Sequence, residues 1–191
     1  MKKLFLISAL FSLFFIFSCG DEENGNNPTE SNDLYPLKTG NSWTYEVTSG
    51  QGTSQYNYSI TGDTLIDGEK WYIAVNSANS NVTMFFRNAD DGFHQGISEN
   101  ETPLSKVVFY KYPCSKGETF QAYENQMIVV STDTTVTAGN EEFSCIQYRI
   151  SNGYVKFDYF VSPGIGQVKV ILANSNGNID SQIELINYSL K

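Results

Sequence analysis

The chain holds one imidazole, His94, in Gly92-Phe93-His94-Gln95-Gly96 beside a turn signal. A Ser–His–Asp hydrolase would need it to activate a serine, and no G-x-S-x-G elbow is present to supply one. A single His also excludes a zinc site built from several imidazoles. His94 therefore reads as a half-exposed strand residue. Carboxylates come in adjacent pairs, Asp90-Asp91 and Glu141-Glu142. Glycoside hydrolysis needs two carboxyls on facing walls roughly 5–10 Å apart, which sequence neighbours do not provide. The D-x-[DN]-x-[DN]-G spacing of a calcium loop is absent as well. Both pairs read as solvated turn charges, and Gly164-Ile165-Gly166 reads as a β-turn rather than a phosphate loop. No catalytic residue, metal or cofactor is expected, and the chain is not expected to be an enzyme.

Three cysteines remain to be placed, Cys19, Cys114 and Cys145. The last two form an even pair, compatible with one disulfide in an exported protein. Closing a loop of about thirty residues would contribute on the order of 3 kcal/mol. The alternative is two separate buried thiols acting as small hydrophobes. Aromatic side chains are the abundant chemical resource, with 12 Tyr, 13 Phe and 2 Trp. Trp43 and Trp71 fall on alternating patterns and are expected in the core. Tyr56, Tyr58, Tyr110, Tyr112 and Tyr123 would suit an exposed stacking platform for sugars or peptides, or ordinary sheet packing. Asp63-Thr64-Leu65 and Asp133-Thr134-Thr135 also resemble a protein O-glycosylation acceptor pattern.

Cys19 belongs to the N-terminus. Met1-Lys2-Lys3 is a short cationic lead, followed by an apolar run from Leu4 to Phe17. At 1.5 Å per residue the run spans roughly 21 Å, short of a ~30 Å hydrocarbon core, so a cleaved secretory signal over 1–18 is expected. Ile16-Phe17-Ser18-Cys19 resembles the lipobox of bacterial lipoproteins, in which the Cys becomes the acylated first residue. Palmitate-type acyl chains on Cys19 would then hold the protein to the outer membrane. Gly20-Asp21-Glu22-Glu23 resembles the export signal of Bacteroidota-type surface lipoproteins, which implies the cell exterior; the periplasmic face is the alternative. Residues 19–33 hold no large apolar side chain and read as a flexible acidic tether. Removing Lys2 and Lys3 leaves ten cations against 21 acids, taking the net charge from −9 to −11. Such a balance is wrong for nucleic acid, whose binding rests on clustered cations.

The elements that must position these groups are strands. With 191 residues, 40% of them hydrophobic, the chain can bury one core, and residues 34–191 read as a single domain. Trp43, Tyr45 and Val47 alternate with Thr44 and Glu46; Tyr56, Tyr58 and Ile60 alternate with Asn57 and Ser59. Val155, Phe157, Tyr159 and Val161 do the same against Lys156, Asp158 and Phe160. A period of two sends the two sets to opposite faces of a sheet. Asp67-Gly68, Asn152-Gly153 and Asn176-Gly177 signal tight hairpins, and Pro163-Gly164 a type II turn. Strands are predicted near 42–49, 54–63, 69–76, 82–88, 92–97, 105–111, 125–137, 142–151, 154–162, 166–173 and 179–189. The phase change between Ile183/Leu185 and Ile186/Tyr188 predicts a bulge in the last of them. The fold class is all-β, an antiparallel meander of about 11 strands forming a closed or half-open barrel or a sandwich.

Four landmarks carry a wider resemblance. Tyr35-Pro36-Leu37-Lys38-Thr39-Gly40-Asn41-Ser42-Trp43-Thr44-Tyr45 opens the domain, and Ala138-Gly139 leads to Phe143. Pro163-Gly164-Ile165-Gly166-Gln167-Val168-Lys169 follows, and Glu184-Leu185-Ile186-Asn187-Tyr188 closes the chain. Their order resembles a group of secreted or lipid-anchored Bacteroidota proteins with a P-L-x-x-G-x-x-W-x-Y start and a P-G-[IV]-G-x-V-K hairpin. Three residues separate Gly139 from Phe143 where the group has one, which lengthens that turn. The resemblance implies fold and localisation and transfers no activity. From the residues alone the expectation is a non-enzymatic binding or accessory lipoprotein with a glycan, peptide or lipid ligand. The alternative is a carrier of a hydrophobic ligand inside an open barrel, and a hydrolase with an unrecognised carboxylate site is the third reading.

Overall fold

Alternation and tight turns together leave the chain little choice but to zigzag, and the computed structural model, which describes residues 33–98 and 107–191, shows that path. Strands β1 (Ser42–Ser49), β2 (Gly52–Ile66), β3 (Glu69–Asn76), β4 (Asn79–Ala89), β5 (Gly92–Ser98) and β6 (Val107–Lys111) pair in succession. So do β7 (Thr119–Ala122), β8 (Asn125–Ala138), β9 (Glu141–Ser151), β10 (Val155–Ser162), β11 (Gly166–Asn174) and β12 (Ile179–Ser189). Pairing of β1 with β12 joins the two runs into one antiparallel sheet of 12 strands, ordered β6-β5-β4-β3-β2-β1-β12-β11-β10-β9-β8-β7. No helix occurs among the described residues.

The sheet curls until its two edges, β6 and β7, face each other, giving a nearly closed barrel. Side chains and loops bridge the seam. Tyr148 Oη on β9 donates to the Lys111 carbonyl on β6 at 2.7 Å, Lys111 pairs with Glu118, and the Phe109 ring lies edge-on to Tyr123 at 5.8 Å. Sequence reasoning predicts eleven strands; the twelfth is β7, four residues long. Part of the predicted 105–111 strand, together with the signal, Cys19, the Gly20-Asp21-Glu22-Glu23 segment and the tether up to residue 32, lies outside the described residues.

Asp67 and Gly68 both take positive φ (52° and 80°), which is the type I′ geometry that suits the twist of a hairpin. Pro163-Gly164 makes the expected type II turn, with Ile165 N–H donating to Ser162 O at 3.0 Å. The Asn152 and Asn176 turns differ from expectation: only the following glycines have positive φ. Side-chain oxygens organise these longer loops, Asn152 Oδ1 accepting from Tyr154 and Val155, and Asn174 Oδ1 from Asn176 and Asn178. The bulge in the last strand is present. Thr44 faces Asn187 while Tyr45 faces Leu185, so Ile186 is the extra residue.

One end of the barrel is plugged by residues 33–41. Leu34 and Tyr35 are buried, Gly164 N–H donates to the Asp33 carbonyl, and Asn88 Nδ2 donates to the Tyr35 carbonyl at 2.7 Å. Buried Asn41 donates to the Pro36 carbonyl and accepts from Lys191 N–H, so it ties Lys191 to this plug. The β8–β9 hairpin turns back over the neighbouring strands here: Phe143 lies against Tyr188, whose hydroxyl donates to Glu141.

Candidate functional site: an aromatic cavity

Inward-facing residues of β1, β2, β4, β5, β6, β10, β11 and β12 line a cavity of about 250 Å³. Its walls are Tyr45, Tyr56, Tyr58, Phe86, Phe109, Phe157 and Tyr159, with Val170 and Ile183; Tyr35, Trp43, Phe93, Gln95 and Gln167 complete the lining. No charged side chain is among these residues. The rings brace one another. Tyr45 stacks on Tyr56 at 5.3 Å, Tyr58 stands edge-on to Tyr56 at 5.4 Å, and Phe109 meets Tyr159 edge-on at 5.9 Å. Contacts of this kind contribute beyond simple burial and hold the walls apart in fixed positions.

The cavity has a closed and an open end. Antiparallel order places the β1–β2, β3–β4, β7–β8, β9–β10 and β11–β12 turns together, opposite the N-terminal plug. Lining residues toward the plug, Tyr35, Trp43 and Phe93, are buried, whereas Tyr56, Phe109 and Phe157, toward the hairpin tips, are half-buried. The mouth is therefore at the tips. On its rim Tyr154 is 82% exposed and Ile179 61% exposed.

The floor is organised around Gln167, the second residue of β11. Its N–H donates to Tyr35 Oη at 2.9 Å, its carbonyl accepts from Tyr45 Oη at 3.0 Å, and its side-chain Oε1 accepts from Tyr110 Oη at 2.8 Å. Trp43 Nε1 donates to the Ile165 carbonyl, two residues before Gln167, at 2.7 Å. Gly166 makes this approach feasible. It has φ of +100°, and a Cβ there would run into the Tyr35 ring. Burial pushes the Tyr35, Tyr45 and Tyr110 hydroxyls well above the usual tyrosine range, because a phenolate would lose its hydration without gaining a cation. The floor is thus a neutral hydrogen-bonded network.

Of the candidate residues singled out from sequence, Trp43, Tyr56 and Tyr58 line the cavity, and the others fall outside its lining. Trp43 and Trp71 are both buried, as expected, Trp43 inside the barrel and Trp71 beside His94 and Arg87, apart from the cluster that holds Trp43. His94 Nε2 lies 2.6 Å from Asp91 Oδ1, and its ring is edge-on to Trp71 at 6.4 Å. Arg87 pairs with His94 across the β4–β5 ladder, and the next rung, Phe86 with Gln95, faces the cavity, so this cluster is on the outer face. The hydrogen bond from His94 holds the Asp91 carboxyl below the usual carboxylate range. Asp90 is exposed, as are Glu141 and Glu142. No exposed tyrosine platform forms from the predicted set: Tyr110 is buried, and Tyr56 and Tyr58 turn into the cavity wall, because closure converts one sheet face into an interior. Tyr112 and Tyr123 are half-buried.

Cys114 and Cys145 are free thiols, so the considered bridge is not formed. Cys114 lies 3.7 Å from Tyr148 Oη. Cys145 is buried three residues from Tyr148 on β9 and belongs to the same core cluster. Burial pushes the Cys145 thiol up to about 12. Gln167 is a site residue that the sequence does not mark, since a lone glutamine in a hairpin carries no signal.

A crystal structure from Bacteroides fragilis, described as a candidate exported protein with a YmcC-like fold, superposes at a TM-score of 0.53. The two share 14% identity over 81% of this chain and 98% of the other. The fold is YmcC-like. A candidate lipoprotein from Parabacteroides distasonis aligns at TM-score 0.42 and 11% identity, over 82% of this chain and 98% of its own. MucB, solved in complex with MucA(peri), aligns at 0.41 and 6% identity, over 81% of this chain and 51% of its own. No protein-family model matches the chain, and no curated protein matches it in sequence.

Proposed function

We propose that this chain is a non-enzymatic, lipid-anchored binding protein whose barrel takes an uncharged, largely apolar ligand into the aromatic cavity. The observation that carries the reading is the cavity itself: about 250 Å³, open at one end, walled by rings and free of charged lining. Dry apolar cavities of roughly 150 Å³ hold a benzene ring, so this one has room for a bicyclic ring or a short acyl segment. It is too small and too full of aromatic fillers for a carrier that encloses a whole lipid, which narrows the carrier alternative to a single small group or chain end.

Signal cleavage over 1–18, acylation of Cys19, a tether over 19–33 and a domain over 34–191 supply the anchoring half of the proposal. The chain enters the barrel at the plugged end, where Asp33 meets Gly164. An anchor on that side leaves the mouth facing away from the membrane, toward whatever the protein binds. The acidic Asp21-Glu22-Glu23 run supports an outward-facing address. Protease shaving of intact cells tests it: cleavage alongside a known surface lipoprotein is expected, and full protection would overturn the exterior location. For the binding role, native mass spectrometry of protein gently extracted from its host is expected to show a bound mass that denaturation releases. A wholly ligand-free protein after such extraction would count against a tightly held cargo.

A further inference from the structure

We infer that the ligand carries a neutral hydrogen-bond acceptor, of the ketone, ester or amide carbonyl class, which sits on Gln167 Nε2, and that Gln167 is the residue that selects it; this rests on the binding role proposed above. The amide of glutamine offers one acceptor oxygen and two donor hydrogens. Tyr110 is buried, and Gln167 Oε1 at 2.8 Å is the acceptor its hydroxyl has among the described residues. A buried O–H without an acceptor is costly, so the Tyr110 proton holds the amide with its oxygen turned to Tyr110. The NH₂ group is then the one presented to the cavity that Gln167 lines, and no side-chain or backbone acceptor takes it among the described residues.

Tyr35 and Tyr45 hold the Gln167 backbone on either side, so the donor is preorganised and its position does not depend on the ligand. A site that offers a fixed donor amid uncharged, mostly aromatic walls discriminates against ligands lacking the matching group, because that donor is otherwise left unpaired. A carboxylate or phosphate would also accept from it. The aromatic walls supply no cation, however, so a charged group would lose hydration without compensation.

The test uses a chain starting at residue 19 with Cys19→Ser, which contains every described residue, titrated calorimetrically with three probes of equal ring size. These are 2-acetylnaphthalene, 2-ethylnaphthalene and 2-naphthoate. The ketone is expected to bind about five- to tenfold more tightly than the hydrocarbon, the value of one net neutral hydrogen bond, with the carboxylate weakest. Gln167→Met is expected to abolish the ketone preference while the hydrocarbon still binds. That variant strands the Tyr110 hydroxyl, so Tyr110→Phe/Gln167→Met, which removes both partners, is measured beside it. Equal binding of ketone and hydrocarbon to the native sequence overturns the inference and leaves the cavity reading standing. Failure of all three probes overturns the cavity reading itself. A ketone preference that persists in the double variant removes Gln167 from the role.

Discussion

Tyr110, on the edge strand β6, donates its hydroxyl hydrogen to Gln167 Oε1 on β11 at 2.8 Å, across the barrel interior. The two strands belong to opposite arms of the sheet and share no backbone ladder. One side-chain hydrogen bond therefore both fastens the seam strand and orients the amide on the cavity floor. Stability and binding are joined at this contact.

Removing the hydroxyl should expose that link. Tyr110→Phe leaves Gln167 Oε1 without its buried donor, and the expected loss is about 1–3 kcal/mol. Urea unfolding should show a lower midpoint at an unchanged slope, since the surface buried by the fold is the same. An unchanged midpoint would mean that the amide finds another partner and is not held by Tyr110.

Alkaline pH should unfold the protein through its tyrosines. Tyr35, Tyr45, Tyr110 and Tyr148 are buried, and desolvation raises each above the ordinary value of 10.0. Below pH 10 both folded and unfolded chains keep these protons, and the full stability is present. Above it the unfolded chain gives them up first, so stability falls as pH rises, by about 1.4 kcal/mol per unit for each such tyrosine. Phenolate absorbance from the buried set should rise in a single step that coincides with loss of the strand circular dichroism signal.

The two glycines of the Pro163 hairpin should respond unequally to a methyl group. Gly164 has φ of 78° with open space around its Cβ position, so Gly164→Ala costs only the left-handed conformation, about 1 kcal/mol. Gly166→Ala also drives a methyl into the Tyr35 ring, and Tyr35 stacks on Phe93 at 4.1 Å with no room to retreat. Its loss should exceed that of Gly164→Ala by about 1–3 kcal/mol, the range for overpacking a core. Thermal unfolding of the pair measures the difference directly.

How far these features are legible in the sequence varies with their range. Strand positions and the β12 bulge follow from local alternation, because every side chain of Ile183 to Tyr188 must choose a face. Thr119–Ala122 is not legible because four residues with one large apolar side chain, Phe120, show no period. The tyrosines mark a different limit. Alternation puts Tyr56 and Tyr58 on one face, but whether that face becomes surface or interior depends on β6 meeting β7, a contact between strand edges with no local signature. Gln167 becomes a site residue only because Tyr35, Tyr45 and Tyr110 converge on it from three separate elements.

The thiols provide a further check on that tertiary placement. With Cys145 buried and pushed up to about 12, and Cys114 raised by burial beside Tyr148, neither forms thiolate readily at neutral pH. Both should alkylate slowly in the folded protein, Cys114 before Cys145. Unfolding without reductant should then release two free thiols from the domain, and a recovered Cys114–Cys145 disulfide would contradict the two separate thiols of the fold.

The most direct test of the cavity as a binding site is ring-carbon NMR of protein labelled at tyrosine, titrated with 2-acetylnaphthalene. Saturable shifts are predicted at Tyr45, Tyr56, Tyr58 and Tyr159, which line the cavity, with Tyr154 on the rim unmoved at saturation. Shifts confined to Tyr154 or other surface tyrosines, or none at all, would contradict the account.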